Sequence, residues 1–169
     1  MSEFKYVRLL KIAAIFLPGL FATFVFLGNL MDFGSNYEFV KHVLSMDTTF
    51  EGNDLMWRSI TSPAAWLVAY WVLIIAEGAV AVLGWAAAIQ MLRAINKDSQ
   101  TFSSTKKLGY IAFLLALCIW FVGFIVIGSE WFAMWQSQIW NGKQTAMDIT
   151  EVLLGFMILF SLPEGTTKK

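Results

Sequence analysis

Four long apolar runs limit this chain to one structural class. They cover about residues 6–31, 63–94, 107–135 and 146–162, and each reaches or approaches the roughly 20 residues that a helix needs to cross a bilayer. Lipid cannot hydrogen-bond an open backbone, and the ten-residue alternation of a membrane β-barrel is absent from these runs. The sequence therefore predicts an all-α fold, a four-helix transmembrane bundle that forms a single domain over residues 1–169.

Composition supports the same class. Hydrophobic residues make up 58% of the chain and charged residues 14%, whereas about a quarter of the residues in soluble domains are charged. The net charge is zero and the basic residues are scattered, so the chain has no electrostatic footprint for nucleic acid. A single cysteine, Cys118, excludes an internal disulfide and a four-thiolate metal site. We expect the lipid bilayer, and no nucleic acid, as a partner.

The distribution of lysine and arginine predicts the orientation. Nine of the twelve basic residues precede or open the first run, separate the second from the third, or end the chain: Lys5, Arg8, Lys11, Arg93, Lys97, Lys106, Lys107, Lys168 and Lys169. The opposite side has Lys41, Arg58 and Lys143. Because basic residues are retained on the cytoplasmic side, we expect a multi-pass protein with both termini in the cytoplasm.

The segment after the first run, residues 32–62, is predicted to be a structured outer loop. Ser35 and Glu38 have the spacing of a capping box. Hydrophobic side chains then recur on one helical face, at Phe39, Val40, Val43 and Leu44. This pattern predicts a short amphipathic helix that lies along the outer surface with its apolar face down.

Two strings carry a family resemblance. FGSN..FV.HVLSMDTTF....LMWR.IT.P occupies residues 33–63, and WFVGFIVIGSEWFAMWQS..WNG occupies residues 120–142. Both resemble the small bacterial integral membrane proteins known as domain of unknown function 2165, and the resemblance extends over nearly the whole chain. It implies a four-span protein of the bacterial inner membrane. The resemblance implies no catalytic residue for this chain.

Glu77 is the residue most suggestive of chemistry, because it lies about midway along the second apolar run. An ionisable group at bilayer depth costs a few kcal/mol and must face protein or water. By depth alone its candidate partners are Thr23 in the first span and Trp120 in the third. Glu77 is either a ligand-binding or proton-carrying carboxylate, or a protonated acid that joins two helices by a hydrogen bond.

A second candidate site lies on the outer side, where tryptophans are concentrated. Trp57, Trp131, Trp135 and Trp140, with His42, are candidates for a partner interface; the alternative is an ordinary aromatic belt. A haem site with two histidine ligands is excluded, because His42 is the only histidine in the sequence. No phosphate-binding glycine loop or HExxH motif is present in the sequence. We therefore expect no enzymatic activity, no cofactor and no metal.

These patterns leave two functional hypotheses. The first is an accessory or interaction subunit of a larger inner-membrane complex, which docks on other membrane protein subunits through its outer tryptophans and close-packing faces. The second is a binding or transport component for a quinone, a lipid or another amphipathic ligand that uses the intramembrane carboxylate. Small residues at Gly19/Thr23 and Gly84/Ala88 have the spacing that allows helices to approach closely.

Overall fold

The computed structural model describes residues 3–164, and the side chains of residues 5–164. Within that range the chain is helical and contains no β-strand. The helices are α1 Glu3–Met31, α2 Phe33–Ser45, α3 Pro63–Arg93, α4 Ser99–Ser104, α5 Lys107–Leu117 and α6 Lys143–Ser161. Helix α5 continues without a break as a π-helix, Cys118–Trp131. The prediction of an all-α fold is confirmed.

Four of these helical segments are long and apolar enough to cross a membrane: Lys5–Met31, Pro63–Arg93, Ser99–Trp131 and Lys143–Ser161. Helix α1 packs on α3, α3 on α5, α5 on α6, and α6 on α1. These contacts close a four-helix bundle. With four crossings, the two ends of the described chain lie at the same end of the bundle. We call this the inner end, and we call the end that holds residues 32–62 the outer end.

Helices α1 and α3 approach each other closely where Gly19 lies against Gly84. A Cβ atom added to Gly84 would be 2.8 Å from the Cα atom of Gly19. The small residues thus bring two backbones together, as their spacing predicted. This contact fixes the register of the two helices, and it places Gly78 against the Phe26 ring.

The third span ends earlier than the sequence predicted. The expected boundary was residue 135, but the helix ends at Trp131. The Phe132 N–H donates to the Ile127 carbonyl, and Ala133 then adopts a left-handed conformation with φ 51°. A short 3₁₀ turn, Met134–Gln136, follows. Trp135 therefore lies in the outer connection and not in the span.

The outer loop contains the predicted short amphipathic helix, α2, but the predicted capping box is wrong. The helix begins at Phe33, its N-cap Asp32 makes no side-chain cap hydrogen bond, and Ser35 lies inside the helix. Glu38 instead accepts a hydrogen bond from Lys41 Nζ at 2.7 Å. This bond lowers the pKa of the Glu38 carboxyl below its ordinary value.

The apolar face of α2 packs against protein at the outer end of the bundle. Val43 and Met46 are buried against the segment that follows the third span, Phe132, Ala133 and Met134. This cluster explains why the outer loop is structured: α2 and the end of the third span bury each other's apolar side chains. We call these two segments together the outer cap.

Three basic residues are buried at the opposite end of the bundle: Arg8, Lys11 and Lys106. Lys11 Nζ donates to the Leu162 carbonyl and to Glu164 Oε1, both at 2.6 Å. Lys106 Nζ lies 3.6 Å from the same Glu164 oxygen. We call these four charged residues the inner ion cluster. Two other residues of the orientation prediction, Lys168 and Lys169, lie outside the described residues.

Candidate functional site

Glu77 is buried inside the bundle and faces α1. Its exposed fraction is 2%, and its Oε2 atom accepts a hydrogen bond from Asn29 Nδ2 at 2.6 Å. The expectation that this side chain faces protein and not lipid is confirmed. Its partner is not one of the two residues that depth alone suggested.

Thr23 and Trp120 do not hydrogen-bond to Glu77. The Thr23 hydroxyl donates to the Gly19 carbonyl at 2.8 Å and accepts from Trp85 Nε1 at 3.0 Å. The close approach of Gly19 to Gly84 sets the register of α1 against α3. In this register Glu77 lies nearer the outer end of the bundle than Thr23 does. Trp120 is buried and borders the same cavity as Glu77.

Asn29 holds its position through Tyr70, whose hydroxyl donates to the Asn29 backbone carbonyl at 2.9 Å. Asn29 lies in the last turn of α1, where backbone carbonyls have no partner within the helix. Tyr70 is fully buried and supplies the missing donor. The Asn29 amide is thereby oriented toward Glu77, so the three residues form a connected polar group.

This polar group borders a cavity of about 600 Å³ in the outer half of the bundle. We call it the outer cavity. It lies among α1, α2, α3, the π-helix and α6, and most of its walls are apolar. The lining residues are Phe21, Val25, Asn29, Asn36, Phe39, Val40, Tyr70, Leu73, Glu77, Trp120, Phe124, Asn141, Gly142, Thr145, Ala146 and Ile149. Asn141 and Thr145 are exposed on the outer side, so the cavity is open there.

The π-helix contributes two aromatic walls to the outer cavity. Trp120 and Phe124 are four residues apart within it. The Trp120 ring lies 5.6 Å from the Phe21 ring, and the Phe124 ring lies 6.0 Å from the Phe39 ring. Stretches of π-helix are rare and occur frequently at functional sites. Here the π-helix and the buried carboxylate border the same space.

A second space, an apolar groove of about 300 Å³, lies between α1 and α6 and is lined by residues of both helices. We call it the lateral groove. Its lining residues are Leu17, Pro18, Phe21, Asp148, Ile149, Val152, Leu153 and Phe156. Two of them, Phe21 and Ile149, also line the outer cavity. The two spaces are therefore neighbours that share a wall.

The predicted interface tryptophans divide into two groups. Trp57, Trp131 and Trp135 are well exposed, with exposed fractions of 71%, 46% and 45%. Trp57 meets Trp131 edge to face at 5.8 Å, and the Arg58 guanidinium lies 4.5 Å from the Trp131 ring centre. Trp57, Trp131 and Trp135 therefore leave apolar surface uncovered at the outer end.

His42 and Trp140, by contrast, contact each other where α2 meets the loop before α6. Their rings stack at 4.8 Å with an angle of 10° between the planes. His42 Nδ1 also lies 2.8 Å from Asp47 Oδ2. Both residues are half-buried, and these contacts account for them as packing between α2 and the loop before α6. Within residues 3–164, no group of three or more His, Cys, Asp or Glu residues is placed to hold a metal ion.

Four membrane-spanning helices, an outer cap and a carboxylate-lined cavity define a small integral membrane protein that contacts the lipid bilayer. A family model described as "Predicted small integral membrane protein (DUF2165)" matches residues 7–163. The chain belongs to this family, as the two strings indicated. No curated protein and no solved structure matches it.

Proposed function

We propose that this protein binds an amphipathic small molecule in the outer cavity, with Glu77 as the polar anchor. One observation carries the proposal: a buried carboxylate borders a cavity of about 600 Å³ whose other walls are mostly apolar. Ligand sites have volumes of roughly 300–1,000 Å³, apolar walls and a few oriented polar groups. A quinone, a lipid and other amphipathic molecules all belong to the class that such a site accepts.

The alternative role for Glu77, a hydrogen bond that joins two helices, needs only the contact with Asn29. It does not account for the adjoining space. Small-molecule sites are typically concave and mostly apolar, with a few oriented polar groups, and the outer cavity has these features. A large space beside an intramembrane carboxylate therefore favours a ligand over a purely structural bond.

The lining of the cavity also supports binding rather than catalysis. Its residues include Glu77, Tyr70, three asparagines and Thr145, but no histidine, serine or cysteine. A Ser–His or Cys–His pair, the common arrangement of an activated nucleophile, is absent from this lining. We propose a non-enzymatic protein of the bacterial inner membrane with cytoplasmic termini, so that the outer cavity opens on the periplasmic side. The nine-to-three distribution of basic residues supports this orientation.

The experiment is mild extraction followed by native mass spectrometry of the protein with its small-molecule cargo. Thr145→Trp adds bulk at the open side of the cavity, whereas Ile158→Trp adds the same ring on α6 at a lipid-facing position that is 63% exposed. We expect wild type and Ile158→Trp to retain a bound molecule and Thr145→Trp to lose it. Unchanged occupancy in Thr145→Trp, or an empty wild-type protein, would contradict the proposal.

A second function, an accessory subunit of a larger inner-membrane complex, is supported by the exposed Trp57, Trp131 and Trp135. Tryptophan is strongly favoured among residues that dominate binding energy at protein interfaces. Under this proposal, gentle extraction yields a large assembly on native gels, and replacing Trp131 and Trp135 together by serine releases the protein from it. A lone monodisperse species from the wild-type membrane would exclude this role.

A further inference from the structure

We propose that the ligand is a lipophilic cation, and that it reaches Glu77 from the bilayer through the lateral groove between α1 and α6. This inference rests on the proposed binding function, and it names the ligand class and the route. Four observations carry it: the charge of the two spaces, the hydrogen-bonding groups around Glu77, the aromatic rings around the cavity and the wall that the spaces share.

The charged side chains that line the two spaces are both acidic. Glu77 lines the outer cavity and Asp148 lines the lateral groove, and neither lining contains lysine, arginine or histidine. With Glu77 ionised, a fatty acid or a phosphate-bearing ligand would approach a like charge with no basic side chain in either lining to neutralise it. Like charges in such a setting cost several kcal/mol, whereas a cation would neutralise the carboxylate.

Beside Glu77, the Tyr70 hydroxyl donor and one of the two Asn29 amide N–H donors are engaged. The Tyr70 hydroxyl donates to the Asn29 carbonyl, and the Asn29 amide donates to Glu77 Oε2. Within the described residues, Glu77 Oε1 receives no hydrogen bond. An ionised carboxylate is an acceptor only. This part of the cavity therefore offers an acceptor, which suits a cation better than the carbonyl oxygens of a quinone.

Aromatic rings complete the site for a cation. Phe21, Phe39, Trp120 and Phe124 all border the cavity, and the Phe21–Trp120 pair approaches to 5.6 Å. Cations are attracted to the faces of such rings, and the attraction is stronger where water is excluded. The same rings provide the apolar surface that a lipophilic ligand would cover.

The shared wall of Phe21 and Ile149 indicates the route. Leu17 and Val152 on the groove side are exposed, so the lateral groove faces lipid. Asp148 is exposed beside it, and one of its oxygens accepts from Gln144 at 2.7 Å. A lipophilic cation that has entered the bilayer meets the first carboxylate at the groove and the second behind the Phe21–Ile149 wall.

The ligand class is tested with two probes of nearly equal shape and opposite charge, tetraphenylphosphonium and tetraphenylborate. Each is titrated into the full chain in nanodiscs of zwitterionic lipid, with empty nanodiscs subtracted. We expect the phosphonium to bind at least about tenfold more tightly than the borate, since tenfold corresponds to 1.4 kcal/mol. Glu77→Gln should remove this preference. Glu151→Gln, which changes an exposed carboxylate on α6 that lines neither space, should keep it.

The route is tested by the association rate of the phosphonium, followed by stopped-flow tryptophan fluorescence. Val152→Trp places a ring in the groove without lining the cavity, and Ile158→Trp serves as its control on the same helix. We expect Val152→Trp to slow association severalfold while the equilibrium affinity stays unchanged. Association at the wild-type rate in Val152→Trp would overturn the lateral route.

The outcomes separate this inference from the binding function. Equal or tighter binding of the borate by wild type overturns the cation class, and so does an unchanged preference in Glu77→Gln. If mass spectrometry finds a bound native molecule, the proposal that the outer cavity binds a ligand is still supported after either of these results. Glu77→Asp retains the charge and should retain the preference for the phosphonium. If Glu77→Gln fails to fold, the ratio of the two probes in wild type still decides the question.

Discussion

Replacing Gly84 by alanine is the most direct test of how the bundle is held together. The added Cβ atom would lie 2.8 Å from the Cα and 3.3 Å from the backbone nitrogen of Gly19. Both neighbouring atoms belong to the backbone, so no side chain can rotate away. Because ordinary contact begins at 3.4 Å, the two helices must separate by about 0.6 Å, and a gap of that size forfeits about a quarter of the local dispersion energy.

The size of the effect follows from two opposed contributions. Overpacking of this kind costs typically about 1–3 kcal/mol, while alanine favours the helical backbone over glycine by about 0.8–1.0 kcal/mol. We expect Gly84→Ala to lower the free energy of unfolding by about 1 kcal/mol. Gly28→Ala is the matched control on α1, because nothing lies within 4 Å of its added Cβ. That variant should be neutral or slightly stabilised.

The measurement is reversible unfolding in mixed micelles, with loss of helical circular dichroism as the readout. The two variants should differ by about 2 kcal/mol, which is the overpacking cost alone, because both gain the same helix propensity from the change of glycine to alanine. If Gly84→Ala is as stable as Gly28→Ala, the contact between Gly19 and Gly84 does not set the distance between α1 and α3, and the reasoning fails.

Three further predictions concern other parts of the chain. Lys11→Met should cost about 2 kcal/mol in the same unfolding assay, because hydrogen bonds to charged groups are worth about 1.5–3 kcal/mol; wild-type stability would contradict its role in the inner ion cluster. Val43→Asp should open the outer cap to protease by burying an unpaired charge, whereas Lys41→Ala should not; equal protection in both would count against the packing of α2. Thiol labelling of introduced cysteines should report the outer side at Gly52 and the cytoplasm at Asn96, and the reverse result would invert the topology.

The membrane-spanning helices were predictable because their signal is strong and local. A run of about 20 apolar residues has one stable form in lipid, and Pro63 is a favoured first residue of a helix. The end of the third span was not predictable. Its stop depends on Ala133, a residue type that rarely adopts positive φ, so the sequence pattern places Trp135 in the span although it lies beyond the helix.

The position of α2 was predictable from its apolar face, but its first residue was not. Ser35 and Glu38 have capping-box spacing by coincidence, since the helix begins at Phe33 directly after the Asp32 bend. Several local patterns can each predict a start for the same helix, and only the tertiary contacts of the first turn decide among them. Here the Phe33 ring in that turn packs 4.8 Å from the Tyr70 ring.

Glu77 was recognisable as a candidate because a charged residue inside an apolar run is rare. Its partner was not recognisable, since Asn29 lies near the end of the first run, shortly before Asp32, and resembles the beginning of a loop. Depth favoured Thr23 only while the register of α1 and α3 was unknown. The backbone contact of Gly19 with Gly84 sets that register, and sequence spacing alone does not pair one glycine with the other.

The inner ion cluster has a consequence for the order in which the protein is made. Lys11 is bonded to a residue 153 positions later in the chain, so its charge has no such partner while the first three spans are being synthesised and inserted. During that time the ammonium group must stay with water or lipid headgroups, because a buried unpaired charge is too costly. The first span can therefore reach its final depth only after the fourth span has been inserted. Assembly of the bundle is completed only when its last helix has been translated.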